Sequence, residues 1–194
     1  MPLSRLLRAL RMRRLASGTH RWRRLSGRWT IGPLEGPHCS QRSGGPRESM
    51  LLLGGSESRG GLEASIRILE ASDQAAGGAI VYVDVLGPQD FLSFHFCPAK
   101  QLVECFARTN GRWQRMGLPV HFPITVGTEH RVELRCDGPV RRLRVDGRDL
   151  LALRGRREGG YLGLGAKICP VSFSQVRPIP EPAAEAPRRA SAVL

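Results

Sequence analysis

The chain has 194 residues, room for one large domain with tails, and a formal net charge of +13 that raises the question of a polyanionic partner. No run approaches the roughly eighteen apolar residues of a membrane-spanning helix. The five cysteines stand singly, without the CxxC spacing of a zinc site or the pairing of a disulfide framework, so no metal and no cofactor is expected.

Residues 1–34 carry nine Arg and no acid, whereas residues 35–180 carry 19 Lys or Arg against 15 Asp or Glu. The basicity therefore belongs mostly to the N-terminal segment. Of the 30 basic residues only two are Lys. That bias, with abundant Ala, Gly and Pro, reads as the drift of a GC-rich genome and not as a phosphate-binding surface, so nucleic acid is not expected as a partner. Leu3, Leu6, Leu7 and Leu10 would share one helical face, with Arg5, Arg8 and Arg11 elsewhere. In a eukaryotic chain this is the pattern of a mitochondrial presequence. In a bacterial chain it reads as a little-structured extension on a cytoplasmic protein with reduced thiols. Residues 1–27 are therefore expected to form a basic tail, disordered or helical, whose loss leaves the domain's stability unchanged.

The domain is expected over 28–178, beginning at Trp29-Thr30-Ile31. Met50–Leu53 reads as a short buried strand stopped by Gly54-Gly55. Leu62–Ile68 alternates cleanly, as an edge or half-buried strand does. Ala79–Val85 is almost continuously apolar, which suits a central strand covered on both faces. Phe91–Phe96 places Leu92, Phe94 and Phe96 on one side, with Ser93 and His95 on the other. Leu102–Arg108 follows, and Asn110-Gly111 turns it into Arg112–Arg115.

The clearest hairpin is Arg131–Cys136, Asp137-Gly138, Arg142–Val145, then Asp146-Gly147. Val132, Leu134 and Cys136 fall on one face and Arg131, Glu133 and Arg135 on the other. Tyr161–Leu164 and Val171–Val176 complete nine to eleven expected strands. Residues 179–194 are Pro, Ala and charge, and read as a disordered tail. The chain is thus all-β, a two-sheet antiparallel sandwich.

The order of these elements resembles the concanavalin A-like jelly roll, in its laminin-G-like and 3-keto-disaccharide-hydrolase-like branch. The resemblance is carried by Trp29–Gly32, Met50–Leu53, Leu62–Ile68, Gly78–Val85 with Asp90-Phe91, and Asn110-Gly111. It continues through the strand from His130, Val145-Asp146-Gly147, Gly160–Leu164 and the closing strand at Phe173. It departs at Glu129, where an aromatic is usual, and at Ser174 and Gln175, where acids are common. The fold is shared by lectins, glycosidases, lyases and structural modules, so it does not choose a function by itself.

A retaining glycosidase needs two carboxylates about 5 Å apart. Glu63 has Ser65 and Arg67 on its face, and Glu133 has only Arg131 and Arg135. No catalytic residues are therefore assigned. A sugar site combines an aromatic platform with polar groups, and Trp113, Tyr82, Asp84, His95 and Arg108 would converge if their strands are neighbours. The expected function is non-catalytic recognition of a carbohydrate or glycoconjugate. The alternatives are an enzyme like the 3-keto-glycoside hydrolases or lyases, and a scaffold module with a protein partner.

Overall fold

Alternation along the strands decides the architecture, because each apolar face must be covered by another layer. The computed structural model describes residues 13–17, 20–32, 36–40, 48–57, 60–70, 77–155 and 160–181. The described chain begins with β1 (Arg13–Ser17), β2 (His20–Ser26), β3 (Trp29–Gly32), β4 (Gly36–Cys39) and β5 (Ser49–Glu57). Then come β6 (Gly60–Ile68), β7 (Gly78–Gly87), β8 (Asp90–Cys97), β9 (Leu102–Thr109) and β10 (Arg112–Arg115). It closes with β11 (Val120–His121), β12 (Glu129–Asp137), β13 (Val140–Val145), β14 (Arg148–Arg154), β15 (Tyr161–Lys167) and β16 (Val171–Ile179).

These strands make two antiparallel sheets. The nine-stranded sheet runs β1-β2-β5-β15-β7-β8-β9-β10, with β11 also paired to β9. The seven-stranded sheet runs β14-β13-β12-β6-β16-β4-β3. Between them lies the main core, in which Leu51, Val81, Phe94 and Cys105 of one sheet meet Leu134, Leu143 and Phe173 of the other. A second apolar cluster, including Met50, Leu52, Ile80, Tyr82 and Phe91, lies on the outer face of the larger sheet. β7 is consequently covered on both faces, as its continuous apolar run requires.

The turn chemistry is as the sequence predicts at two of three hairpins. Between β12 and β13 the two-residue loop is Gly138-Pro139, with Asp137 still paired to Val140 and only Gly138 of the expected Asp137-Gly138 at positive φ, 53°. Asn110 and Gly111 have φ of 49° and 82°, and Asp146 and Gly147 have 48° and 78°, the paired positive angles of two-residue hairpins. All five cysteines are buried, and none is in a disulfide. Burial pushes the Cys105 and Cys136 thiols up to about 12, so they act as small apolar side chains.

Two expectations need correction. Of the two kinds of strand expected for Leu62–Ile68, the edge is ruled out and the half-buried one stands, because β6 sits between β12 and β16. Leu62, Ala64, Ile66 and Ile68 lie in the main core, while Glu63 and Arg67 reach solvent on the other face and Ser65 between them is covered, at 4% exposure. The segment 1–27 is also more than a tail. β2 pairs with β5 from Arg21↔Gly54 to Ser26↔Met50, and Trp22 is only 2% exposed within the main core. The domain boundary drawn at residue 28 therefore cuts through the larger sheet. The helical face at Leu3–Leu10 and the C-terminal segment 182–194 lie outside the described residues.

Candidate functional site

The outer face of the larger sheet is built by register. Across β7, β8, β9 and β10 one row runs Tyr82, Ser93, Phe106, Arg115. A second runs Ile80, His95, Glu104, and a third runs Phe91, Arg108, Trp113. Strand alternation then points all of these side chains away from the main core. Gly165, on the neighbouring β15, leaves space for the Tyr82 ring: a Cβ there would lie 2.4 Å from Tyr82 Cε2.

Trp113 is the exposed aromatic of this face, at 45%. Its ring stands nearly perpendicular to Phe91, His95 and Phe106, at centroid distances of 5.6, 6.2 and 6.1 Å. The Arg108 guanidinium lies over it, 5.1 Å from the centroid, and Arg108 Nη1 donates to the Pro88 carbonyl at 3.2 Å. This packing orients the indole while leaving nearly half of it open to solvent. A broad, partly exposed ring of that kind can stack on an apolar ligand face.

Two lobes of a groove meet at Trp113 and Glu48. The smaller, about 240 Å³, is lined by His95, Glu104, Phe106, Lys100, Arg115 and Lys167 among others. The larger, about 450 Å³, is lined by Leu25, Ser26, Met50, Gln89, Phe91 and Arg108 besides the shared pair. Glu104 forms ion pairs with Arg115 at 2.9 Å and Lys100 at 3.6 Å. Glu48 accepts from the Tyr82 hydroxyl at 3.1 Å and faces Lys167 Nζ at 3.7 Å. Burial raises the Glu48 carboxyl above its usual range, opposed chiefly by the Lys167 charge. Its Oε1 and the buried Nε of Arg108 have no hydrogen-bond partner.

His95 is 6% exposed, with Nε2 2.9 Å from Ser93 Oγ. Burial, assisted by the Lys167 charge, depresses its imidazole to about 3. It therefore presents a neutral ring with one donor and one acceptor nitrogen at any ordinary pH. In the unfolded chain an imidazole titrates near 6.5. Between that value and about 3 the unfolded state binds the extra proton, so the His95 contribution to stability is lost as pH falls through this window. We expect the drop in Tm between pH 7 and pH 4 to be smaller in His95→Phe, which keeps a ring and removes the titration. An unchanged drop would mean that His95 is not held neutral.

Four of the five residues expected here do share this face: Trp113, His95, Tyr82 and Arg108 line the groove or its floor. Tyr82 is fully buried, so it acts by holding Glu48. The fifth, Asp84, is elsewhere. Strict alternation would place it beside Tyr82, but β7 is bulged between Val83 and Gly87, and Asp84 has φ of 53°. The bulge turns Val85 to the outer cluster and sends the Asp84 carboxylate inward. There it pairs bidentately with Arg141 of β13, at 2.9–3.2 Å, with both side chains at most 2% exposed. Asp84 is a bolt between the sheets and does not contribute to the groove.

Sequence reasoning missed Glu48, Lys100, Glu104, Phe106, Arg115 and Lys167. Glu104, Phe106 and Arg115 were available from alternation along Leu102–Arg108 and from hairpin register at Asn110-Gly111. Glu48 lies in a turn-rich stretch with no periodicity, and only the fold brings it to Tyr82.

No protein-family model matches this chain, and no curated protein matches it. Solved structures do. A carbohydrate-binding module, CBM66, from Bacillus subtilis superposes with a TM-score of 0.67 at 17% identity, covering 80% of this chain and 92% of that one. The apo Crh5 transglycosylase gives 0.60 at 13% identity, covering 86% and 81%. A point variant of human galectin-16 gives 0.50 at 12% identity, covering 71% and 96%. At these identities the likeness is one of fold: the chain is a concanavalin A-like jelly-roll sandwich.

Proposed function

We propose that this protein is a non-catalytic carbohydrate-binding β-sandwich module, with the Trp113 groove as its ligand site. The observation that carries the reading is a half-exposed indole, braced by three rings, at the junction of two polar-lined lobes. Sugars present an apolar face for stacking and a ring of hydroxyls for hydrogen bonds. Glu48 and Glu104 supply acceptors, Lys100, Lys167 and Arg115 supply donors, and neutral His95 supplies either. That CBM66 is named a carbohydrate-binding module supports the same reading.

The enzyme alternative asks for a carboxylate free to act on a glycosidic bond. Glu104 is engaged by two cations and Glu48 by Tyr82 and Lys167, which suits fixed acceptors better than a nucleophile. A glycan array with the full chain is the test, followed by calorimetry on the best ligand. Trp113→Ala should weaken that ligand by roughly 1–3 kcal/mol, the range of an interfacial aromatic anchor. Full-strength binding by a folded Trp113→Ala variant would remove the groove as the site. Product release from a bound glycan would favour the enzyme reading, and a chain that binds no glycan would favour the scaffold.

A further inference from the structure

Only two of the 30 basic residues in this chain are lysines, Lys100 and Lys167. They lie 67 positions apart in sequence, one just before β9 and one at the end of β15. Both line the smaller lobe of the groove. In a chain that elsewhere uses Arg for every cation, an ammonium is thus placed twice in one cavity of about 240 Å³. The physical difference between the two side chains is shape. An ammonium is a compact point charge with three rotatable donors, whereas a guanidinium is a broad planar fork.

Neither lysine is fully engaged by its carboxylate. Lys100 Nζ is 3.6 Å from Glu104, and Lys167 Nζ is 3.7 Å from Glu48. Charge-assisted hydrogen bonds lie nearer 2.7–2.9 Å, so donors remain for a ligand. The two side chains are 37% and 23% exposed, reachable from the groove. Glu104 already has a tighter partner in Arg115, whose guanidinium also rests on the Phe106 ring. Arg108 rests on Trp113. Across both lobes the cations Lys100, Lys167, Arg108 and Arg115 face two carboxylates, Glu48 and Glu104. His95 adds no charge. The groove thus carries two more cations than carboxylates.

We propose that the groove selects an acidic saccharide, its carboxylate or sulfate group held by Lys100 and Lys167 while a sugar ring stacks on Trp113. This rests on the carbohydrate reading above and adds the class of sugar. A neutral sugar would leave the surplus charge solvated by water alone. An anionic one places its charge where the two ammonium groups converge, in a partly dry lobe where the attraction is stronger than in bulk water.

The test is calorimetry of the full chain with a short neutral oligosaccharide, its uronic-acid counterpart and its sulfated counterpart, at low and high salt. At least one acidic form should bind about tenfold or more tighter than the neutral form at low salt, and the preference should shrink as salt screens the pairing. Which acidic arm gains shows whether a carboxylate or a sulfate is recognised. The Lys100→Gln, Lys167→Gln double variant should lose the preference, binding the acidic form no better than the neutral one. Arg144→Gln, on the exposed face of the other sheet, should behave as wild type and controls for general attraction to polyanions. Equal affinity for neutral and acidic forms overturns the proposal while leaving the carbohydrate reading intact. An equal loss in Arg144→Gln also overturns it, and the absence of any binding overturns both.

Discussion

Replacing Asp84 by Asn will lower the domain's stability by about 3–5 kcal/mol, the cost of breaking a buried ion pair from one side. The substitution keeps the side chain's shape, and Asn tolerates the positive φ of this position, so it isolates the charge. What it leaves behind is the Arg141 guanidinium, 1% exposed and facing a neutral amide. Arg141 also donates from Nη1 to the Gly138 carbonyl, which ties the β12–β13 turn to the same ion pair. The carboxylate of one sheet is thereby bonded to a guanidinium of the other, deep in an otherwise apolar layer. Arg141→Met should cost a similar amount, because it orphans Asp84 instead. The double variant should cost clearly less than the sum of the two, since neither charge is then left buried alone. Chemical denaturation of the four proteins measures this. A loss below about 1 kcal/mol in Asp84→Asn, within the range of exposed pairs, would show that the pair is solvated.

The second large effect concerns the N-terminal segment. Trp22→Ala should cost about 3–5 kcal/mol, as truncation of a fully buried aromatic does. At this chain length that corresponds to a fall in Tm of roughly 2–4 °C per kcal/mol. Deleting residues 1–27 should cost more. It removes Trp22 and also strips β2 from β5, leaving the Leu51–Gly54 backbone without its neighbour on that side. An uncovered edge of apolar Leu residues is a template for pairing with another chain, so the truncated protein should also aggregate more readily. A truncated chain that melts as wild type does would restore residues 1–27 to the role of a tail.

These two results mark where the sequence was readable and where it was not. β12 was legible because Val132, Leu134 and Cys136 alternate with charged residues, and β13 was legible apart from Arg141, whose charge lies on the buried face. Asn110-Gly111 and Asp146-Gly147 mark the turns after β9 and β13. β2 was not, because Trp22 is its one residue in the main core and three of its seven residues are Arg. A strand at the side of a sheet can be carried by one large anchor and its backbone hydrogen bonds, and that leaves no periodic signal. Asp84 failed for a different reason. Period-two reasoning assigns faces correctly only until a bulge inserts a residue, and nothing in Val83-Asp84-Val85 announces one. The same alternation was sound one strand away, where it put His95 on the outer face, and across the Asn110-Gly111 hairpin, where Trp113 lands opposite Arg108. Glu48 and Lys167 could be found only in three dimensions, since their meeting depends on β5 and β15 lying side by side.

The proposed saccharide site is the groove at Trp113, away from Asp84. Calorimetric titration of one glycan ligand into wild type, Trp113→Ala and Asp84→Asn tests this most directly, at a temperature where all three are folded. Trp113→Ala should lose roughly 1–3 kcal/mol of binding free energy, while Asp84→Asn, though far less stable, should bind as wild type. Binding that survives Trp113→Ala at full strength, or that is lost in a folded Asp84→Asn protein, would contradict this site.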